Sequence, residues 1–301
     1  MINTCRNQIL VATDLLDLDS LLPVAIEQAK GTGAMLWLLH VIGPDHAKDV
    51  ETHPLLRQER IFRNAETILA TLTATLRQQN VPCAYEIRRW HPVEQVIDFV
   101  RERQIKRLLL GTSSKKKLSK LVLGSVAEQL IRGLDIPVCT VGPHYKPVPR
   151  SNPRRVLFAT SMHHQAEKSV RFAADLAAEL DAELTVLHVM EQDHLDDGIN
   201  LNVIPKIDEI LKSVQSANVT PRLRIRYGEP AEEIIAECSS LQPELLVLGA
   251  LPASRAVAAF RTGVAYQVIA QAPCPTFTLR SECAARPGGD RRLFSTTHSI
   301  R

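Results

Sequence analysis

The chain repeats itself, and that constrains its fold more than any other feature. NQILVATD at 7–14 is matched by RRVLFATS at 154–161, and MLWLLHV at 35–41 by LTVLHV at 184–189. HPVEQVIDF at 91–99 is matched by EPAEEIIAE at 229–237, RLLLG at 107–111 by LLVLG at 245–249, and IPVCTV at 136–141 by CPTFTL at 274–279. The offset is a constant 138 from position 81 onward and 147 to 148 near the start of each copy. One deletion of about ten residues between the second and third strands of the second copy accounts for the difference. A register held over that many segments is a tandem duplication.

Two copies fit the length. The 301 residues are 45% apolar and 23% charged, the composition of a globular protein in which each half buries its own core. Between the copies, PHYKPVPRSNPRR at 143–155 carries four prolines and several bases, so it continues neither a helix nor a central strand. The expected division is a first domain over 1–142, a linker over 143–153, a second domain over 154–280 and a flexible tail over 281–301. Residues 1–150 hold 20 Lys/Arg against 15 Asp/Glu, while 151–280 hold 12 against 16. Opposite signs are expected to favour docking of the halves, less so at cellular salt.

Within each copy, short apolar runs alternate with longer helical patterns. The first half predicts strands near 8–13, 35–41, 83–88, 107–111 and 137–141, with helices near 19–31, 55–79, 92–104 and 125–133. Ile61, Ala65, Ile68, Leu72 and Leu76 form a stripe at helical spacing. Pro92 and Pro230 stand at helix starts, where the missing N–H is harmless. Runs such as LLL and LLVL read as strands buried on both faces, the mark of a parallel sheet. The class is α/β, doubly wound, twice over.

Ligands of such sheets sit beyond the carboxyl ends of the strands, where strand order reverses. Asp14 follows strand one and GTSSKKKLSKLVLGS, 111–125, follows strand four. Gly111 and Gly124 allow close approach of a ligand to the backbone. Ser125 opens a helix, whose free N–H groups suit an anion, and Lys115, Lys116, Lys117 and Lys120 add positive charge. Each has a plainer reading. Ser125 and Glu128 fit a capping box, the lysines a solvated loop, and Asp14 a turn.

The spacing Gly111-2x-Ser114-9x-Gly124-Ser125, followed by Ile136-Pro137-Val138, resembles the universal stress protein family, as do VATD at 11–14 and LHV at 39–41. Ser114 stands where the family's pattern has a glycine. The resemblance implies two tandem Rossmann-like domains of the adenine nucleotide alpha hydrolase type, each a five-stranded parallel sheet flanked by helices. It also implies, for one branch of the family, an ATP site with Mg2+. Carried over by position, Asp14 would contact ribose or adenine and the Val41 backbone adenine. Gly111, Thr112, Ser114, Lys115, Gly124, Ser125 and Val126 would surround the phosphates. Members pair through their last strands, here 137–141 and 275–279, giving an intramolecular pseudo-dimer with room for a homodimer.

The second copy departs from this pattern. Ser161 replaces Asp14, Pro252 stands opposite Ser114, and Thr262-Gly263 replaces Gly124-Ser125. No nucleotide, or much weaker binding, is expected there. His40 and His188 end equivalent strands and predict a shared buried hydrogen bond; Trp90 is expected to pack on the helix that follows it. His163-His164 is expected to be exposed loop. Six cysteines without a CxxC pair argue against zinc and for a reducing compartment. No apolar run approaches a membrane span, MINTCRNQIL lacks a signal-peptide plan, and few aromatics serve single-stranded nucleic acid. The reading is a cytoplasmic ATP-binding stress-response regulator or scaffold. Its alternatives are a nucleotide-free interaction module and, last, a slow ATPase, since nothing marks a base for activating water.

Overall fold

A computed structural model of the chain describes residues 7–44, 54–112, 123–145, 154–161, 167–190, 219–251, 261 and 263–280. The first half runs β1 (Gln8–Thr13), α1 (Leu18–Thr32), β2 (Met35–Ile42), α2 (Pro54–Gln78), β3 (Cys83–Arg89), α3 (Pro92–Glu102), β4 (Arg107–Gly111), α4 (Ser125–Gly133) and β5 (Val138–Val141). The second runs β6 (Arg154–Ala159), α5 (Glu167–Leu180), β7 (Ala182–Met190), β8 (Arg222–Tyr227), α6 (Pro230–Leu241), β9 (Leu245–Leu251), α7 (Val264–Gln271) and β10 (Thr276–Arg280). The strands and helices predicted for the first half all form, with ends moved by a residue or two. Pro92 and Pro230 each occupy the first helical turn.

All ten strands belong to one sheet, in the order β3-β2-β1-β4-β5-β10-β9-β6-β7-β8. Within each half every pairing is parallel. The two halves meet where β5 and β10 pair antiparallel, Thr276 opposite Thr140, Phe277 opposite Cys139 and Thr278 opposite Val138. The expected pairing through the last strands is therefore made inside one chain. It removes two exposed sheet edges. Thr140 and Thr278 hydroxyls add bonds across the seam, to the carbonyls of Thr276 and Val138 at 3.1 and 3.3 Å.

Side chains alternate between two apolar layers that cross the seam without a break. Ile9, Val11, Leu36, Leu109 and Cys139 face one side with Val156, Phe158 and Phe277, under α1 and α5. Leu10, Leu39, Leu108, Leu110 and Val138 face the other with Leu157, Leu246 and Leu248. Phe277 is fully buried and meets Phe172 edge-on at 5.0 Å. Cross-half ion pairs do not follow the net charges. Arg107 forks onto Glu179 at 2.7 and 2.8 Å as the charges suggest. Arg154–Glu27, Arg261–Glu128 and Arg280–Asp135 take their arginine from the acidic half. Local pairing geometry, not halfwise charge, decides these contacts.

The histidine expectation holds: Nδ1–H of His40 donates to the Thr13 carbonyl and that of His188 to the Thr160 carbonyl, each at 2.9 Å and each buried. Each ties strand two of its half to the end of strand one. Trp90 differs from expectation. It is 70% exposed, at φ +89°, where the second half has Gly228 at φ +144°. Both residues donate their N–H to the last residue but none of the neighbouring strand, Ile42 and Met190 respectively, so the turn is the same. The backbone there turns away from L-residue geometry and carries the indole off α3.

Candidate functional site

In the first half strand order reverses between β1 and β4, opening a crevice at their carboxyl ends. The fold gathers most of the nominated residues around it. Asp14 follows β1, Val41 lies near the end of β2, Gly111 ends β4 with Thr112 just beyond, and Gly124, Ser125 and Val126 open α4. Ser114 and Lys115 lie outside the described residues, as do Lys116, Lys117 and Lys120.

The 111–125 loop is drawn shut at its base. Gly124 N–H donates to the Thr112 carbonyl at 2.7 Å, and Thr112 N–H donates to Val141 on β5 at 3.2 Å. Thr112 is buried, while Ser125 and Val126 are exposed. A Cβ on Gly124 would approach the Thr112 carbonyl to 3.2 Å, so a larger residue would press this closure apart.

The capping-box expectation is overturned. Gly124, not Ser125, is the N-cap residue of α4, and no side chain caps the helix there. Ser125 is already in the first turn, so its hydroxyl is one position too late to act as the cap. Glu128 turns instead to arginines: Arg132 Nη1 at 3.4 Å and, from the second half, Arg261 Nη2 at 2.9 Å and Nε at 3.0 Å. Its side chain is 4% exposed and needs such partners. The first-turn N–H groups of α4 thus have no side-chain cap, which suits a helix terminus that receives an external anion.

Asp14 makes an Asx turn, accepting the Leu16 N–H at 2.8 Å, and its carboxylate is exposed. The adjacent Leu15 takes φ +70° and donates its N–H to the Thr13 hydroxyl at 2.8 Å. The turn reading of Asp14 is correct as far as it goes, and one acceptor oxygen remains available beside the crevice.

Asp17 is the group that sequence reading missed. It is the N-cap residue of α1, a position where Asp ordinarily accepts a first-turn N–H, yet its side chain makes no cap bond. It reaches into the crevice, where Thr13 Oγ1 donates to Oδ1 at 2.6 Å and Oδ2 packs over Gly111. A Cβ built on Gly111 would come within 2.2 Å of Oδ2. Glycine at 111 is needed here because a carboxylate fills the space of its side chain. Burial pushes the Asp17 carboxyl up to about 6, against the Thr13 hydrogen bond that lowers it; the neighbouring Asp14 charge raises it further, and backbone N–H groups of Asp17 and Gly111 lower it. The repeat comparison aligns Asp14 and Gly111 but says nothing of a side chain three residues on that abandons its cap.

The second-half crevice between β6 and β9 is built differently. Gly249 abuts backbone: its Cβ would lie 3.3 Å from both the Ala159 carbonyl and Thr160 Cα. Ser161 is exposed at the place of Asp14. Gly263 is the N-cap of α7, so no serine opens this helix. Pro252, Thr262 and His163-His164 lie outside the described residues.

Among the described residues no group of three or more His, Cys, Asp or Glu could hold a metal ion. No described helix is long and apolar enough to cross a membrane. The cysteines at 83, 139, 238 and 274 are free and buried.

The family model described as the universal stress protein family matches residues 6–142 and again 152–280. A universal stress protein of Methanocaldococcus jannaschii is 24% identical over 119 residues, covering 39% of this chain and 70% of its own. The crystal structure of a universal stress protein from Archaeoglobus fulgidus matches 91% of this chain and 96% of its own at 19% identity, with a TM-score of 0.72. One from Pseudomonas aeruginosa matches 92% and 95% at 17% identity, with a TM-score of 0.63. At these identities the structural likeness speaks to the fold.

Proposed function

We propose a function from one premise: the chain belongs to the universal stress protein family, with two such domains in tandem. The first half binds ATP, and the second half serves as its support. The reading rests most on the uncapped start of α4, where Gly124 brings backbone donors to the open side of the β1/β4 crevice. Phosphates would lie against Gly111, Thr112, Gly124, Ser125 and Val126, with Ser114 and Lys115 on the intervening loop. Asp14 would hold ribose or adenine and the Val41 backbone adenine. Mg2+ would supply charge neutralisation between phosphates rather than bind a protein cage, consistent with its preference for phosphate oxygens and few carboxylates.

Binding would change the surface offered to a partner protein, as in a regulator or scaffold rather than a catalyst. The division into domains at 1–142 and 154–280, joined by the 143–153 segment, belongs to the same proposal, as do a cytoplasmic setting and any association of two tandem chains. Titration calorimetry of the full chain with MgATP tests it. Binding at one site per chain, lost in a Gly124→Val, Ser125→Ala variant, is the expected result. No binding up to millimolar ATP refutes it.

A second reading has its own observation. The space beside Gly111 is taken by the Asp17 carboxylate, as a nucleotide-free interaction module would have it. The same titration decides between the two.

A further inference from the structure

We propose that Asp17 is the charge-selecting residue of the first-half crevice: phosphate reaches Gly111 and Gly124 only when the Asp17 carboxylate is neutral, so the site takes up a proton together with an anionic nucleotide. This deepens the nucleotide reading above and rests on it.

Three observations carry it. The carboxylate stands in the crevice itself, Oδ2 occupying the space a Gly111 side chain would fill. It has left the N-cap role its position offers, and a short bond from Thr13 holds it in place. Among the described residues no basic side chain pairs with it, while two unlike environments press on its charge: burial, and the like charge of Asp14. A phosphate brought beside an ionised carboxylate in a partly desolvated site meets repulsion of the kind that makes paired carboxylates share a proton. A neutral Asp17 removes that repulsion and gains an O–H with which to donate to a phosphate oxygen.

The surrounding groups bear on the titration. From the β1–α1 turn, Asp14 faces it, and Asp19 follows on α1. From β2, His40 is anchored on the Thr13 carbonyl. From β4 only the Gly111 backbone contributes. On α4, Glu128 is already compensated by Arg132 and Arg261. Asp14 would shift the midpoint of the switch, but it does not abut Gly111 as Asp17 does.

The experiment is calorimetric titration of the full chain with MgATP and with adenosine at pH 5.5, 6.5 and 8.0. The wild-type chain and Asp17→Asn are compared, each pH run in two buffers of different ionisation enthalpy. With a midpoint near 6, about 1% of the carboxyl is protonated at pH 8, so a strict requirement weakens MgATP binding up to ~100-fold from its acid limit. The wild type is expected to lose at least tenfold between pH 5.5 and 8.0 and to take up a proton on binding. The nucleotide's terminal phosphate titrates nearby, but it does so equally for both chains. Asp17→Asn should bind MgATP at pH 8 at least tenfold more tightly than the wild type. Adenosine, which has no phosphate, should bind both chains alike at every pH.

Equal pH dependence in the two chains, with binding retained, overturns the role of Asp17 and leaves the nucleotide reading standing. No binding by either chain at any pH overturns both. Circular dichroism at each pH confirms that folded protein is being compared, and Thr13→Val gives a second, independent variant. Without the Thr13 hydroxyl the carboxyl rises further, so this variant should hold MgATP to a higher pH than the wild type; an unchanged profile counts against the proposal.

Discussion

Replacing Asp17 by Asn should stabilise the protein at neutral pH and leave it unchanged in acid. The carboxyl stands at about 6 in the fold against 3.8 for the ordinary group, chiefly because burial opposes its charge. At ~1.4 kcal/mol per pKa unit the rise corresponds to about 3 kcal/mol. Solvent still reaches this half-buried group, and Asn keeps an acceptor oxygen for Thr13, so a gain of about 1–2 kcal/mol is expected. The sign follows from linkage. Between pH 4 and 6 the folded chain holds the proton more tightly than the unfolded one, so wild-type stability falls as pH rises and the deficit is complete above 6. Below about 3.8 both states are protonated and the two chains should coincide. Urea denaturation of both chains from pH 4 to 8 reads this directly, as a gap opening across pH 4–6 and constant from 7 to 8. A gap that is flat over the whole range, or an Asn variant less stable at pH 8, would refute the reasoning.

Three other substitutions test the framework around the site. Phe277→Ala empties a fully buried ring at the seam and removes its edge-on partner contact with Phe172, costing about 4 kcal/mol; a urea midpoint shift worth less than 2 kcal/mol would mean the seam is loosely packed. Arg261→Ala strips one of two arginines from buried Glu128, but the guanidinium is 55% exposed, so roughly 1 kcal/mol of stability should be lost in urea titration. Trp90→Gly should raise stability by about 1 kcal/mol in thermal or urea melts, because an exposed indole gives up little packing while the turn loses its left-handed strain. A loss instead would show that the indole has a partner.

The tandem fold was legible because it is written in periodic signals. Repeated register fixed the duplication, LLL and LLVL marked strands buried on both faces, and Pro92 and Pro230 marked helix starts. The paired roles of His40 and His188 followed from the correspondence of the copies, whereas the seam between 137–141 and 275–279 came from the family resemblance. What escaped was set by side-chain direction rather than pattern. Ser125 and Glu128 satisfy the spacing of a capping box, yet the helix begins one residue earlier than that motif needs, and Arg261 from the other half claims Glu128. Asp17 looks like one acid among the three at 14, 17 and 19; only the fold turns it onto Gly111. Trp90 occupies a position that Gly228 explains, but the local sequence does not announce a left-handed turn.

The pairing of β5 with β10 has a consequence for how the protein behaves on dilution. Two separate chains joined along such a strand would come apart as their concentration fell, and could exchange partners with one another. Here the mating strand of each half is supplied by the same polypeptide, so its effective concentration is set by the intervening chain and not by expression level. The join therefore stays closed in nanomolar solution, and the proportion of first to second halves is locked at one to one. Any concentration dependence of this protein would come from contacts outside the join, since pairing within it is held constant.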